Sequence, residues 1–66
     1  MTKMNIYIDY LNKIYIIPIS INETYEMAYE RAWWIAKKEP KTTEEFNNII
    51  NQSLIWAYKK FYGVDY

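Results

Sequence analysis

From Met4 to Ile19 two runs of β-branched and aromatic residues, the first alternating with polar residues and the second apolar on both faces, lie on either side of Tyr10-Leu-Asn-Lys13. Such alternation around a short polar break predicts a β-hairpin over residues 4–19. The break contains neither Asn-Gly nor Asp-Gly, so the turn type stays open, and Asn12 is the residue best suited to a left-handed conformation. With an even loop, Met4, Ile6 and Ile8 share a face with Tyr15, Ile17 and Ile19. The opposite face carries Asn5, Tyr7, Asp9, Ile14 and Ile16.

That second face is richer in apolar residues than a hairpin backed by helices on one side requires. It calls for a cover: a chain terminus, a second copy or a partner protein. Pro18 has no N–H and blunts the edge of the second strand, leaving the first strand as the edge open to pairing.

After Pro18 the period changes to three and four. Ser20-Ile-Asn-Glu23 has capping-box spacing, with Asn22 as a competing cap, and predicts a helix over about residues 22–38 that stops before Pro40. Its core stripe is Tyr25, Ala28, Ala32, Ile35 and Ala36. A second capping box, Thr42-Thr-Glu-Glu45, opens a helix over about residues 43–62, closed by Gly63 as a left-handed cap. Its stripe is Phe46, Ile49, Ile50, Ser53, Ala57 and Phe61, and Ser53 is suited to close helix approach with its hydroxyl bonded one turn back. The short link makes the helices antiparallel neighbours. The expected fold is α+β, a ββαα arrangement in one domain spanning residues 1–66.

Composition narrows the function. At 66 residues without cysteine or histidine, the chain has no disulfide, no usual zinc ligand set and no familiar nucleophile–base pair. Its single glycine excludes a glycine-rich phosphate loop. Glu26 and Glu30 lie on an exposed helical surface with no catalytic constellation around them, so catalysis and cofactors are not expected. Eight basic residues balance eight acidic ones, which argues against generic nucleic-acid binding. No apolar run reaches the ~18–20 residues of a membrane span and the start of the chain has no signal-peptide pattern, so a cytoplasmic location is expected. Acidic residues open both helices and lysines close them, as helix dipoles favour.

The aromatic residues, a fifth of the chain, suggest core and interface together. Trp33 and Trp34 point about 100° apart, so one lies off the core stripe. Trp34 falls on the outer surface near Met27, Glu30 and Arg31 and is the first choice for an exposed anchor. Leu54, Ile55, Trp56 and Tyr58 make the second helix apolar on more than one face. The expected partner-binding set is therefore Trp34, Arg31, Met27, Tyr7, Ile14, Ile16 and Trp56.

In short length, Ile/Asn/Lys/Tyr-rich usage and the segment Ala32-Trp-Trp-Ile-Ala-Lys37, the chain resembles the small accessory proteins of bacteriophages and mobile elements of AT-rich bacteria. The resemblance is one of style. It implies a host-takeover or anti-defence protein that binds and blocks a host protein or complex, and it carries over no functional residue. Two functions are expected: an interaction module that self-associates as a homodimer and inhibits a larger protein, or a protein that sequesters a small ligand such as a nucleotide signal. The second would stack bases on Trp and Tyr and meet phosphates with Arg31 and Lys37 in a pocket between subunits. Self-assembly through the edge of the first strand is a third possibility.

Overall fold

The computed structural model describes residues 4–63. It contains β1 (Asn5–Tyr10), β2 (Lys13–Pro18), α1 (Tyr25–Lys37) and α2 (Thr43–Tyr62). The α+β, ββαα order expected from the sequence is the one observed.

The strands pair antiparallel, with Asn5 opposite Pro18 and Tyr10 opposite Lys13. Only Leu11 and Asn12 remain in the loop, and both have positive φ, +50° and +64°. That is the signature of a type I′ turn, whose twist suits a two-residue hairpin. Asn12 was expected to tolerate this conformation. Leu11 is the surprise, since a left-handed leucine costs about 1–2 kcal/mol.

This register buries Ile6, Ile8, Tyr15 and Ile17. Against them lies α1, which supplies Ala28, Ala32, Ile35 and Ala36. Three alanines on one stripe let the helix axis come close to the strands, and Ile35 fills the space between. Tyr25, expected on the stripe, is instead exposed. Near the start of a helix reached by a turn, its ring lies against Tyr29 on the flank, with ring centroids 6.4 Å apart.

Helix α1 starts three residues later than the capping-box spacing suggested. Thr24, not Ser20 or Asn22, is the N-cap, and its hydroxyl accepts from the Met27 N–H. The Ser20–Glu23 segment forms a separate turn in which Glu23 N–H donates to the Ser20 carbonyl. The helix ends as expected near Lys38, its C-cap, and Glu39 takes a positive φ of +50° ahead of Pro40.

Helix α2 follows expectation at both ends. Thr42 Oγ1 accepts from Glu45 N–H, and Gly63 closes the helix at φ +70°. It buries Ile49, Ser53 and Ala57. The backbone of α2 approaches α1 but not the strands. Contact with the hairpin runs through side chains such as Phe46, stacked on Tyr15. So α1 lies directly on the hairpin, and α2 packs beside α1 and reaches the edge of β2 through Phe46.

Replacing Leu11-Asn12 with Asn-Gly should relieve the turn and raise the melting temperature by roughly 4–8 °C, the shift expected for about 1 kcal/mol in a domain of this size. An unchanged or lower midpoint would show that Leu11 is held by contacts that outweigh its backbone strain.

Candidate functional site

The interior is organised by one polar cluster that fixes which surfaces remain outside. Arg31 is 1% exposed. Its Nε donates to Glu23 Oε2 at 2.7 Å and one Nη to Glu23 Oε1 at 3.0 Å, a side-on bidentate pair. The same Nη donates to the Pro18 carbonyl at 2.8 Å, and the other donates to Ser53 Oγ at 3.1 Å. Ser53 in turn donates to the Ile50 carbonyl at 2.6 Å, the bond one turn back that its position predicted. Glu23 Oε1 also accepts from the Ser20 N–H and hydroxyl. One guanidinium thus ties together the end of β2, the turn before α1, α1 itself and α2.

This corrects the expected role of Arg31. Placed among the surface anchors, and also as a phosphate ligand, it is spent inside the molecule. It is the sole arginine among seven lysines, and its fork can satisfy a carboxylate, a carbonyl and a hydroxyl at once where an ammonium could not. Removing one partner of such a buried pair costs about 3–5 kcal/mol, comparable to the whole stability of many domains this small.

Burial disfavours the Glu23 carboxylate, but the Arg31 hydrogen bonds and charge together with the Ser20 donors outweigh that and hold its pKa below the ordinary 4.5.

Among the other expected anchors, Trp34 and Trp56 come together across the helix pair. Their rings stack at 5.4 Å and 18°. Lys38 Nζ lies over Trp34 at 4.8 Å and Lys60 Nζ over Trp56 at 5.0 Å, while Lys60 also pairs with Glu30 at 2.8 Å. Trp34 is therefore partly buried rather than a bare anchor. Trp33 is partly buried too, with its ring edge-on to Tyr10 and Tyr29. Met27 is likewise half-covered, its sulfur 3.7 Å from the Tyr62 hydroxyl, which donates to the Asn22 carbonyl at 2.8 Å. Beside the indole stack lies an open concavity of about 270 Å³ bordered by Tyr29, Trp33, Lys37 and Lys60.

The remaining three residues form a different surface. Tyr7, Ile14 and Ile16 share the outer face of the hairpin and are 65%, 68% and 50% exposed. Leu11, at the strained turn, is 67% exposed and extends the run of apolar residues along the hairpin. Past the edge of β2 this face falls into a groove of about 380 Å³, where Ile14 and Ile16 meet Pro40 and Phe46, with Lys13 and Lys41 beside them. Whether the last residues of the chain cover this face lies outside the described residues.

The expected set thus divides into an apolar hairpin face, an indole stack between the helices and a buried arginine. Among the described residues no cluster of three acidic side chains could hold a metal ion, and no helix is long and apolar enough to cross a membrane. Neither a protein-family model, nor a curated protein, nor a solved structure matches this chain, so its function is argued from its own geometry.

A carboxyl with a lowered folded-state pKa stabilises the fold above its unfolded pKa, and that contribution fades as pH falls through the lower folded value. Glu23→Gln should therefore melt well below the parent chain at pH 7, and the gap should close as pH drops below about 4.5. A gap that stays constant from pH 7 to pH 3 would contradict the Glu23–Arg31 account.

Proposed function

We propose that this chain is a non-enzymatic protein-interaction module that works in the cytoplasm by covering a surface of a larger protein, with the outer face of its hairpin as the docking surface. The observation that carries the reading is the exposed set Tyr7, Leu11, Ile14 and Ile16, running into the groove beside Phe46. Small folded chains seldom leave large apolar side chains grouped in this way without a partner. Leu11 strengthens the point: it is strained and exposed, so it adds little to its own fold, and such residues concentrate where a chain makes contacts. A host enzyme or defence complex as the target, blocked by a phage or mobile-element protein, is the partner class that the style of the sequence suggests.

The competing reading, sequestration of a nucleotide-like signal, draws on the indole stack and its lysines. It is the weaker of the two. Arg31, its intended phosphate ligand, faces Glu23, Pro18 and Ser53. Trp34 and Trp56 cover one face of each other, and lysine ammonium groups lie over the rings.

The test is affinity capture from a host lysate with the parent chain and with Ile14→Glu/Ile16→Glu, both first shown to be folded by circular dichroism. Stoichiometric recovery of one defined protein by the parent, reduced at least tenfold for the double variant, is expected. Equal recovery by both would remove the hairpin face from the reading.

A further inference from the structure

The hairpin has a second exposed feature, its backbone edge. Ile19 N–H donates to the Met4 carbonyl, so Met4 and Ile19 form a hydrogen-bonded pair. Pairs alternate along an antiparallel ladder, which makes Asn5–Pro18, Tyr7–Ile16 and Asp9–Ile14 the pairs without mutual hydrogen bonds. The backbone N–H and C=O groups of Asn5, Tyr7 and Asp9 therefore point away from β2. The sheet has two strands, so among the described residues no strand meets them. On the opposite edge, Pro18 supplies no N–H.

We propose that a second copy of this chain occupies the β1 edge, pairing β1 antiparallel with its mate about a two-fold axis at Tyr7 to make one four-stranded sheet. This goes beyond the interaction-module reading by adding a self-contact at a different surface, and it rests on that reading only for the premise that the chain acts through contacts.

Three observations favour a second copy over another strand. The first is the register. The three outward-facing residues are symmetric about Tyr7, so an antiparallel match sets Tyr7 against Tyr7 of the mate and Asn5 against its Asp9, twice. An amide donor then faces a carboxylate at both ends and no like charges meet, and cross-strand pairs of this kind stabilise a sheet.

The second is the flank of α1. Tyr25, Tyr29 and Trp33 follow one another along the helix at four-residue spacing, with successive ring centroids 6.4 Å apart, and Trp33 reaches Tyr10 of β1 at 5.8 Å. The helix runs in the same direction as β1, because Trp33 lies beside Tyr10 while Arg31 and the turn before the helix reach Pro18, the partner of Asn5. The aromatic row thus follows the same side of the molecule as the exposed edge, and Tyr25 and Tyr29 are themselves exposed.

The third is spacing. Helix α1 packs against both strands. In a four-stranded sheet each α1 would sit two strand spacings, roughly 9.6 Å, from its mate. Helices pack at about 8–10 Å, so the two rows would meet beneath the sheet while the two outer faces join above it.

Mass measured by light scattering across a dilution series tests this directly, with circular dichroism to confirm folding of each variant. Asn5→Lys would face Asp9 of the mate twice, and roughly tenfold tighter self-association is expected. Asn5→Lys/Asp9→Lys would set lysine against lysine and should weaken the dimer at least tenfold. Within one chain residues 5 and 9 are about 13 Å apart along the strand, too far for these changes to act on each other there. A monomer at every concentration would overturn the proposal. So would a dimer indifferent to both lysine variants, and if Ile14→Glu/Ile16→Glu dissociated that dimer, the self-contact would lie on the outer face. Equal partner capture by the parent chain and Ile14→Glu/Ile16→Glu, with the dimer intact and sensitive to the lysine variants, would instead strike only the hairpin face as docking surface.

Discussion

Every layer of this protein meets at the Arg31 guanidinium. The strands and α2 do not bring their backbones together, so the orientation of α2 relative to the hairpin depends on side-chain contacts such as Phe46 on Tyr15 and on what α1 holds at each side. Arg31 holds the end of β2 through a carbonyl, the preceding turn through a carboxylate and α2 through a hydroxyl. Among the described residues no buried side-chain nitrogen or oxygen lacks a partner, as a charge this deep requires. An apolar side chain could fill the same volume, but it could not specify the three attachments together. The cluster therefore sets geometry as well as stability, which matters in a chain too short to rely on a large core.

Apolar packing is arranged around that fixed point. Ala28, Ala32 and Ala36 draw α1 against the sheet, and Ser53 does the same for α2 against α1. Larger rings gather at the margins, as the Trp34–Trp56 stack between the helices and the Tyr25–Tyr29–Trp33–Tyr10 row along the flank. This explains how 66 residues with so many aromatics still leave an apolar hairpin face outside. The helices cover one face of the sheet, and on the other Tyr7, Ile14 and Ile16 stay exposed, met only at the edge of β2 by Pro40 and Phe46 among the described residues.

Where local rules govern, the fold was legible from residue pattern. Strand parity placed Ile6, Ile8, Tyr15 and Ile17 inside and Tyr7, Ile14 and Ile16 outside, and Thr42 and Gly63 marked the ends of α2. Legibility failed where a long-range partner competed with a local one. The Ser20–Glu23 spacing matched a capping box and the Ser20 N–H does donate to Glu23, yet the same carboxylate also holds Arg31 eight residues away, and the helix N-cap is Thr24. A signal was present: the sole arginine of the chain falls between Ala28 and Ala32 at the border of the core stripe. The environment of Trp34 gave no such sign, because its stack on Trp56 depends on how two helices cross, which periodicity within either helix does not encode.

Because the chain has one arginine, the central cluster can be observed alone. Incorporating ¹⁵N-arginine gives a single side-chain Nε–H resonance, whose hydrogen exchange can be followed by NMR in the intact protein. The structure predicts that this proton, buried and bonded to Glu23, exchanges orders of magnitude more slowly than in an exposed arginine. Exchange at the rate of an exposed side chain would mean that Arg31 is not locked between the hairpin and the helices, and the account of how this small fold is held together would fail.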